Sequence, residues 1–162
     1  MSFLVTKGYK RIAHFGGPKQ LNICLKRFEG YKDALNKAGL PIISGFIKEG
    51  GLHEPDGYEM MDIVMKGSKL PDAIFAVNDP VAIGAFQRIR ESSLRIPEDI
   101  ALMGFSNNKI TSLVNPPLST VNQPSYEMGK KAAEILIEQI EGKDKTIRTV
   151  ILEASLIKRG ST

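Results

Sequence analysis

The chain has 162 residues but only one cysteine and two histidines. That is too few for an internal disulfide framework, and no Cys/His spacing suits zinc. Cys24 fits a reducing compartment and, among helical and largely apolar neighbours, reads as a buried inert thiol. His14 falls inside an apolar strand and reads as a core residue, whereas His53 lies in a loop open to ligand contact. No apolar run approaches the roughly 18 residues of a membrane span, and the start "MSFLVTKGYKR" lacks signal-peptide organisation. The net charge of +4, from 22 Lys+Arg against 18 Asp+Glu, is not gathered into any block that would mark a nucleic-acid surface. G-x-S-x-G, Walker and G-x-G-x-x-G patterns are missing. "HFGGPK" (14–19) is Gly-rich yet lacks the spacing that wraps a pyrophosphate, and no spacing singles out a carboxylate pair for acid/base work. The sequence therefore makes no positive case for catalysis, a metal or a cofactor.

What is present is an alternation. With 42% apolar and 25% charged residues, the composition is that of a soluble globular protein of one domain or two small lobes. "RIAHF" (11–15), "PIISGFI" (41–47), "DAIFAV" (72–77) and "DIALMGF" (99–105) read as apolar strands. "FLVTKG" (3–8) reads as the last turns of a helix closed by Gly8. Leu25, Phe28, Tyr31, Leu35 and Ala38 recur at helical spacing, as do Tyr58, Met61, Val64 and Met65 before a capping Gly67. Asn78-Asp79-Pro80 opens a helix whose Val81, Ala82, Ala85, Phe86 and Ile89 face a core. Continuous apolar strands alternating with amphipathic helices predict an α/β fold, its sheet mostly parallel with helices on both faces. Ligands in such sheets bind beyond the carboxyl ends of the strands, here the loops 16–23, 48–54, 78–80 and 104–108.

After residue 110 the character changes. "NPPLSTVNQP" (115–124) is an extended, Pro-punctuated crossing. A helix over 125–141 follows, with Met128, Ala132, Ile135, Leu136 and Ile140 apolar and Gly142 at its end. "TVILEASLI" (149–157) reads as a final strand. A helix set off by rigid crossings suggests part of a second lobe.

Four blocks resemble one family: "GYKRIAHFGGP" with "RFEGYKDAL" (8–35), "PDAIFAVNDPVAIGAFQRIRESSLRIPEDIALMGFSN" (71–107), "PPLSTVNQPSYEMGKKAAEILIEQIEG" (116–142) and "LIKRGST" (156–162). In order and spacing they are similar to the effector-binding region of the lactose/galactose-repressor (LacI/GalR) family of bacterial transcription regulators, across nearly the whole chain. The resemblance implies a periplasmic-binding-protein-like (type I) α/β fold. It assigns residues 1–121 to the carboxy-terminal sensor lobe and 122–146 to a crossing segment and helix of the amino-terminal lobe. Residues 147–162 then form a return strand and tail. It also implies that a helix-turn-helix, a hinge helix and the first half of the amino-terminal lobe lie outside this chain. The implied function is effector sensing, with a carbohydrate as effector, in a cytoplasmic homodimer that meets operator DNA only through the missing head. No enzyme activity, cofactor, metal or membrane is implied. The alternative is a periplasmic-type sugar-binding protein for transport, which shares the fold.

The same resemblance implies an effector site. Arg27, in "RFEGY", matches an arginine that binds effector polar groups, and its guanidinium offers five fixed donors. Asn78 matches a ligand-contacting position, while Asp79 either caps its helix or touches ligand. Leu52 and Ile23 stand where many relatives carry an aromatic and a polar contact. Ser106, followed by Asn107, replaces the aspartate usual in the family and so exchanges an ionised acceptor for a hydroxyl.

Overall fold

The computed structural model describes residues 1–142 and 146–162. In chain order the elements are α1 (Ser2–Thr6), β1 (Ile12–Gly16), α2 (Asn22–Lys37), a 3-10 helix (Ser44–Phe46) and β2 (Ile47–Glu49). They continue with α3 (Glu54–Met65), β3 (Ala73–Ala76), α4 (Asp79–Arg90), β4 (Ala101–Met103) and a second 3-10 helix (Lys109–Ser112). Last come β5 (Thr120–Asn122), α5 (Ser125–Ile140) and β6 (Ser155–Ile157).

Every residue of β1, β3 and β4 is buried, which is why these strands read as unbroken apolar runs. The sheet order is β2-β1-β3-β4 with all neighbours parallel, as the alternation predicts. Side chains of successive strand residues point to opposite faces, and two cores result. Phe15, Ile74, Ala76 and Leu102 pack under α3 and α4, while Ile12, Ala73, Phe75, Ala101 and Met103 pack with Leu4, Tyr31 and Leu35 of α1 and α2. Helices α3 and α4 approach so closely that a Cβ on Gly57 would collide with the Val81 carbonyl, and one on Gly84 with the Glu54 carbonyl. Arg88 Nε donates to Asp62 Oδ1 across the same pair at 2.9 Å.

β5 and β6 form a separate antiparallel pair. The outer edge of β4 is closed by chain from beyond it. Leu102 N donates to Ser161 O (2.8 Å), Ser161 Oγ donates to Leu102 O (2.6 Å), and Gly104 N donates to Ser119 O (2.9 Å). Helix α5 contributes no buried residue, and Tyr126, Met128, Leu136, Ile137 and Ile140 are exposed on it. No helix among the described residues is long and apolar enough to cross a membrane.

Two expectations need correction. Residues 41–47 are not one strand: a 3-10 helix fills Ser44–Phe46, and ladder pairing starts only at Ile47. Pro41 has no N–H to donate and Gly45 weakens extension, so the apolar run lacks the backbone for a ladder. Of 149–157 only Ser155–Ile157 is strand, because its partner β5 ends at Asn122 where Pro124 leads into α5. Gly67 closes α3, as read, its N donating to Val64 O at 3.1 Å. Gly8, read as closing its helix, takes positive φ, and so do Gly39 and Gly142. The segment 122–146 includes residues 143–145, which lie outside those described.

Candidate functional site

Helix α2 turns Cys24, Tyr31 and Leu35 into the protein. Beside that stripe run Ile23, Arg27 and Gly30 at i, i+4 and i+7, a spacing that places them on one helix face. They border a cavity of about 420 Å³, whose other walls are Met1, Lys26, Phe75, Phe105 and Gln123. Phe75 belongs to β3, Phe105 follows β4 and Gln123 follows β5, so the cavity lies where the strands deliver their carboxyl ends.

Arg27 is the centre of this site. Its guanidinium lies 3.8 Å from the centroid of the Phe105 ring, and Nη1 donates to the Val77 carbonyl at 2.6 Å. The stack and the bond hold the plane in one orientation, which a flexible ammonium would not keep. Burial lowers the Arg27 pKa from its ordinary value, partly offset by Cys24 and Asp79. Ile23 is 49% exposed and offers the cavity an apolar wall.

The loop after β4 is held in an unusual backbone conformation. Ser106 has φ +121° and Asn107 φ +57°, both left-handed and rare for residues with a Cβ. Ser106 N donates to Val121 O (2.8 Å) and its Oγ to Gln123 Oε1 (3.1 Å). Asn107 Nδ2 donates to Asn122 Oδ1 (3.0 Å), and its Oδ1 accepts from Arg159 Nη2 (2.8 Å). The loop is thus fastened to the β5 crossing, and Ser106 reaches the cavity wall through Gln123.

Asn78 caps α4: its Oδ1 accepts from Val81 N at 2.9 Å, and its Nδ2 donates to Leu52 O at 2.8 Å. That second bond draws the loop carrying Leu52 onto the end of β3, while the Leu52 side chain packs half-buried on the α3–α4 core. Asp79 is fully buried and its carboxylate caps nothing. It accepts from Thr120 Oγ1 (2.6 Å) and Asn108 N (2.7 Å), tying α4 to the loop and to β5. The structure therefore brings Ile23 and Arg27 to the cavity wall and Ser106 to its rim. It places Asn78, Asp79, Asn107 and Leu52 behind them in bonds and packing within the fold.

His14 is a core residue, as read. It stacks against Phe28, Tyr31 and Phe75, and Nδ1 bonds to Phe75 O at 3.0 Å. Burial pushes its pKa down to about 4 against the pull of Phe75 and Glu49, so the ring is neutral. Cys24 is buried. His53 is the residue before α3, where its N–H donates to Asp56 Oδ2 at 2.9 Å. Among the described residues no group of three His, Cys, Asp or Glu side chains is placed to hold a metal.

Sequence reasoning did not single out Phe105, Gln123, Lys26 or Gly30. Gly30 and Lys26 follow from helical spacing around Arg27. Phe105 and Gln123 had a weaker signal: each sits in a block quoted for resemblance, and Phe105 is next to Ser106.

Comparison with known proteins agrees with this fold. The periplasmic binding protein-like domain family matches residues 1–162. The HTH-type transcriptional repressor CytR of Escherichia coli is 32% identical over 162 residues, covering 100% of this chain and 48% of the repressor. A regulatory protein of the LacI family from Chloroflexus aggregans superposes with a TM-score of 0.93 at 35% identity, covering 99% of this chain and 58% of that one. The transcriptional regulator CelR in complex with cellobiose superposes with a TM-score of 0.94 at 30% identity, covering 99% of this chain and 49% of that one. The chain thus spans about half the length of the curated relatives it matches.

Proposed function

The chain belongs to the periplasmic binding protein-like domain family, and from that premise we propose that it is the effector-sensing part of a bacterial DNA-binding transcription regulator. The carrying observation is the Arg27 guanidinium, held over the Phe105 ring beside a cavity of about 420 Å³ at the carboxyl ends of the strands. That volume suits a mono- or disaccharide-sized ligand. Rigid donors beside an aromatic ring and an apolar wall are what orient a polar small molecule. The named relatives are repressors and regulators, one of them holding cellobiose.

Residues 1–121 act as the carboxy-terminal lobe, 122–146 as a piece of the amino-terminal lobe, and 147–162 as the return. The exposed apolar side of α5 supports this division, since a helix with such a face is covered in its working state. A ligand between lobes that binds one arrangement more tightly shifts the equilibrium toward it. In the longer cytoplasmic protein a homodimer passes that shift to paired helix-turn-helix heads. The chain senses rather than catalyses.

Titration calorimetry of this chain against a panel of mono- and disaccharides tests the proposal. Binding lost in Arg27→Ala is the expected result, and binding unchanged in that variant overturns the site. Half a cleft binds more weakly than a whole one, so a protein carrying both lobes binds the same ligand more tightly; equal affinities refute the two-lobe reading.

A further inference from the structure

We infer that the ligand of this cavity carries an oxyanion, a carboxylate or a phosphate on a sugar-sized body, and that its oxygens dock on Arg27. The inference rests on reading the cavity as the effector site.

It follows from the hydrogen-bonding character of the walls. The lining contains two cations, Lys26 and Arg27, and no Asp or Glu. Lys26 is already answered by Glu29 on the outer surface of α2, at 2.9 Å. Arg27 is not answered. One of its five N–H groups goes to Val77 O, and it forms no salt bridge among the described residues. Asp79 is near enough to act on Arg27 electrostatically, yet it is fully buried and both carboxylate oxygens accept bonds from Thr120 and Asn108. Gln123 shows the same bias. Its Oε1 already accepts one bond, from Ser106 Oγ, while both amide N–H donors are left without a partner among the described residues.

The polar wall is therefore almost all donor. A neutral polyol carries a donor on every hydroxyl and meets few acceptors on this side of the cleft, so this wall favours it less. An oxyanion has acceptors only, and a planar guanidinium locked on a ring is shaped to receive two of its oxygens side by side. The half-buried charge of Arg27 gains the counterion that no described residue supplies.

The test follows the Arg27 Nε–H resonance by NMR while the chain is titrated with galacturonate and glucose 6-phosphate, and in parallel with galactose and glucose. The inference expects at least one anionic sugar to bind about tenfold or more tightly than its neutral counterpart, with added salt eroding the preference. Galacturonate alone winning identifies a carboxylate, and glucose 6-phosphate alone a phosphate. Arg27→Gln removes the preference; its circular dichroism spectrum and melting point serve as the folding check, and Lys26→Gln keeps most of the preference. Neutral sugars that shift the Arg27 resonance at equal or lower concentrations overturn the oxyanion while leaving the cavity as the effector site. No sugar shifting it at tens of millimolar overturns both.

Discussion

Helix α4 buries seven of its twelve residues, whereas α5 is sixteen residues long, carries an apolar side of its own, and buries none. Both have the spacing that marks an amphipathic helix. They differ in what faces them: α4 lies on β3 and β4 and against α3, with Gly84 taking the place where two backbones almost touch. Helix α5 projects Tyr126, Leu136 and Ile140 outward, 78%, 57% and 76% exposed. Periodicity tells that a helix has a face to cover, not that the cover is present. Stability in this molecule therefore belongs to the four-stranded body, and the α5 region depends on what it meets.

Four measurements break or sharpen that contrast. Gly84→Ala has the largest expected effect, because its Cβ meets backbone that cannot move aside. Urea denaturation is expected to show a loss on the order of 3 kcal/mol. Acidification comes next. The folded-state pKa of His14 is about 4 against an ordinary 6.5, so between these values the unfolded chain binds a proton that the folded chain refuses. Stability is full above about pH 6.5 and falls as pH drops toward 4, by about 3 kcal/mol through this residue alone. Melting curves across that range are expected to lose this slope in His14→Phe.

Ser106→Gly acts at the join between body and crossing. It relieves φ +121° and is expected to gain about 1 kcal/mol, after the loss of one hydrogen bond and the entropy of glycine. An unchanged or lower melting point would show that the bonds to Val121 and Gln123 leave no strain to relieve. Ile140→Ser has the smallest effect. With the side chain already in water, the change stays within about 0.5 kcal/mol, whereas the same substitution at Ile89 of α4 would resemble the glycine case.

The legible part of the fold was the part governed by burial on both sides. β1, β3 and β4 announced themselves because sheet interiors admit few polar residues, and the one they hold, His14 of β1, is stacked among aromatic rings. β2 did not, since at the sheet edge Lys48 and Glu49 interrupt the run and pairing is set by where β1 ends. β6 was overread because its length is set by its partner, not by its own residues. At the site, the start of α4 was legible through Asn-Asp-Pro, but the cap is Asn78, read as a ligand contact, and not Asp79, read as a possible cap. That Arg27 would lie on Phe105, or that Asp79 would serve Thr120 and Asn108, was not legible, because those pairs meet only when the sheet order is fixed.

The closure of β4 by Ser119 and Ser161 carries a kinetic consequence. The βαβ units assemble from residues close in sequence, but this edge waits for chain that is made some 60 residues later. During synthesis on the ribosome the strand leaves the exit tunnel with its outer amides unpaired, a row that another nascent chain can zip onto. The last bonds to form in the sheet are thus the ones that end its exposure to aggregation. The serine that seals it sits in the short polar stretch 158–162.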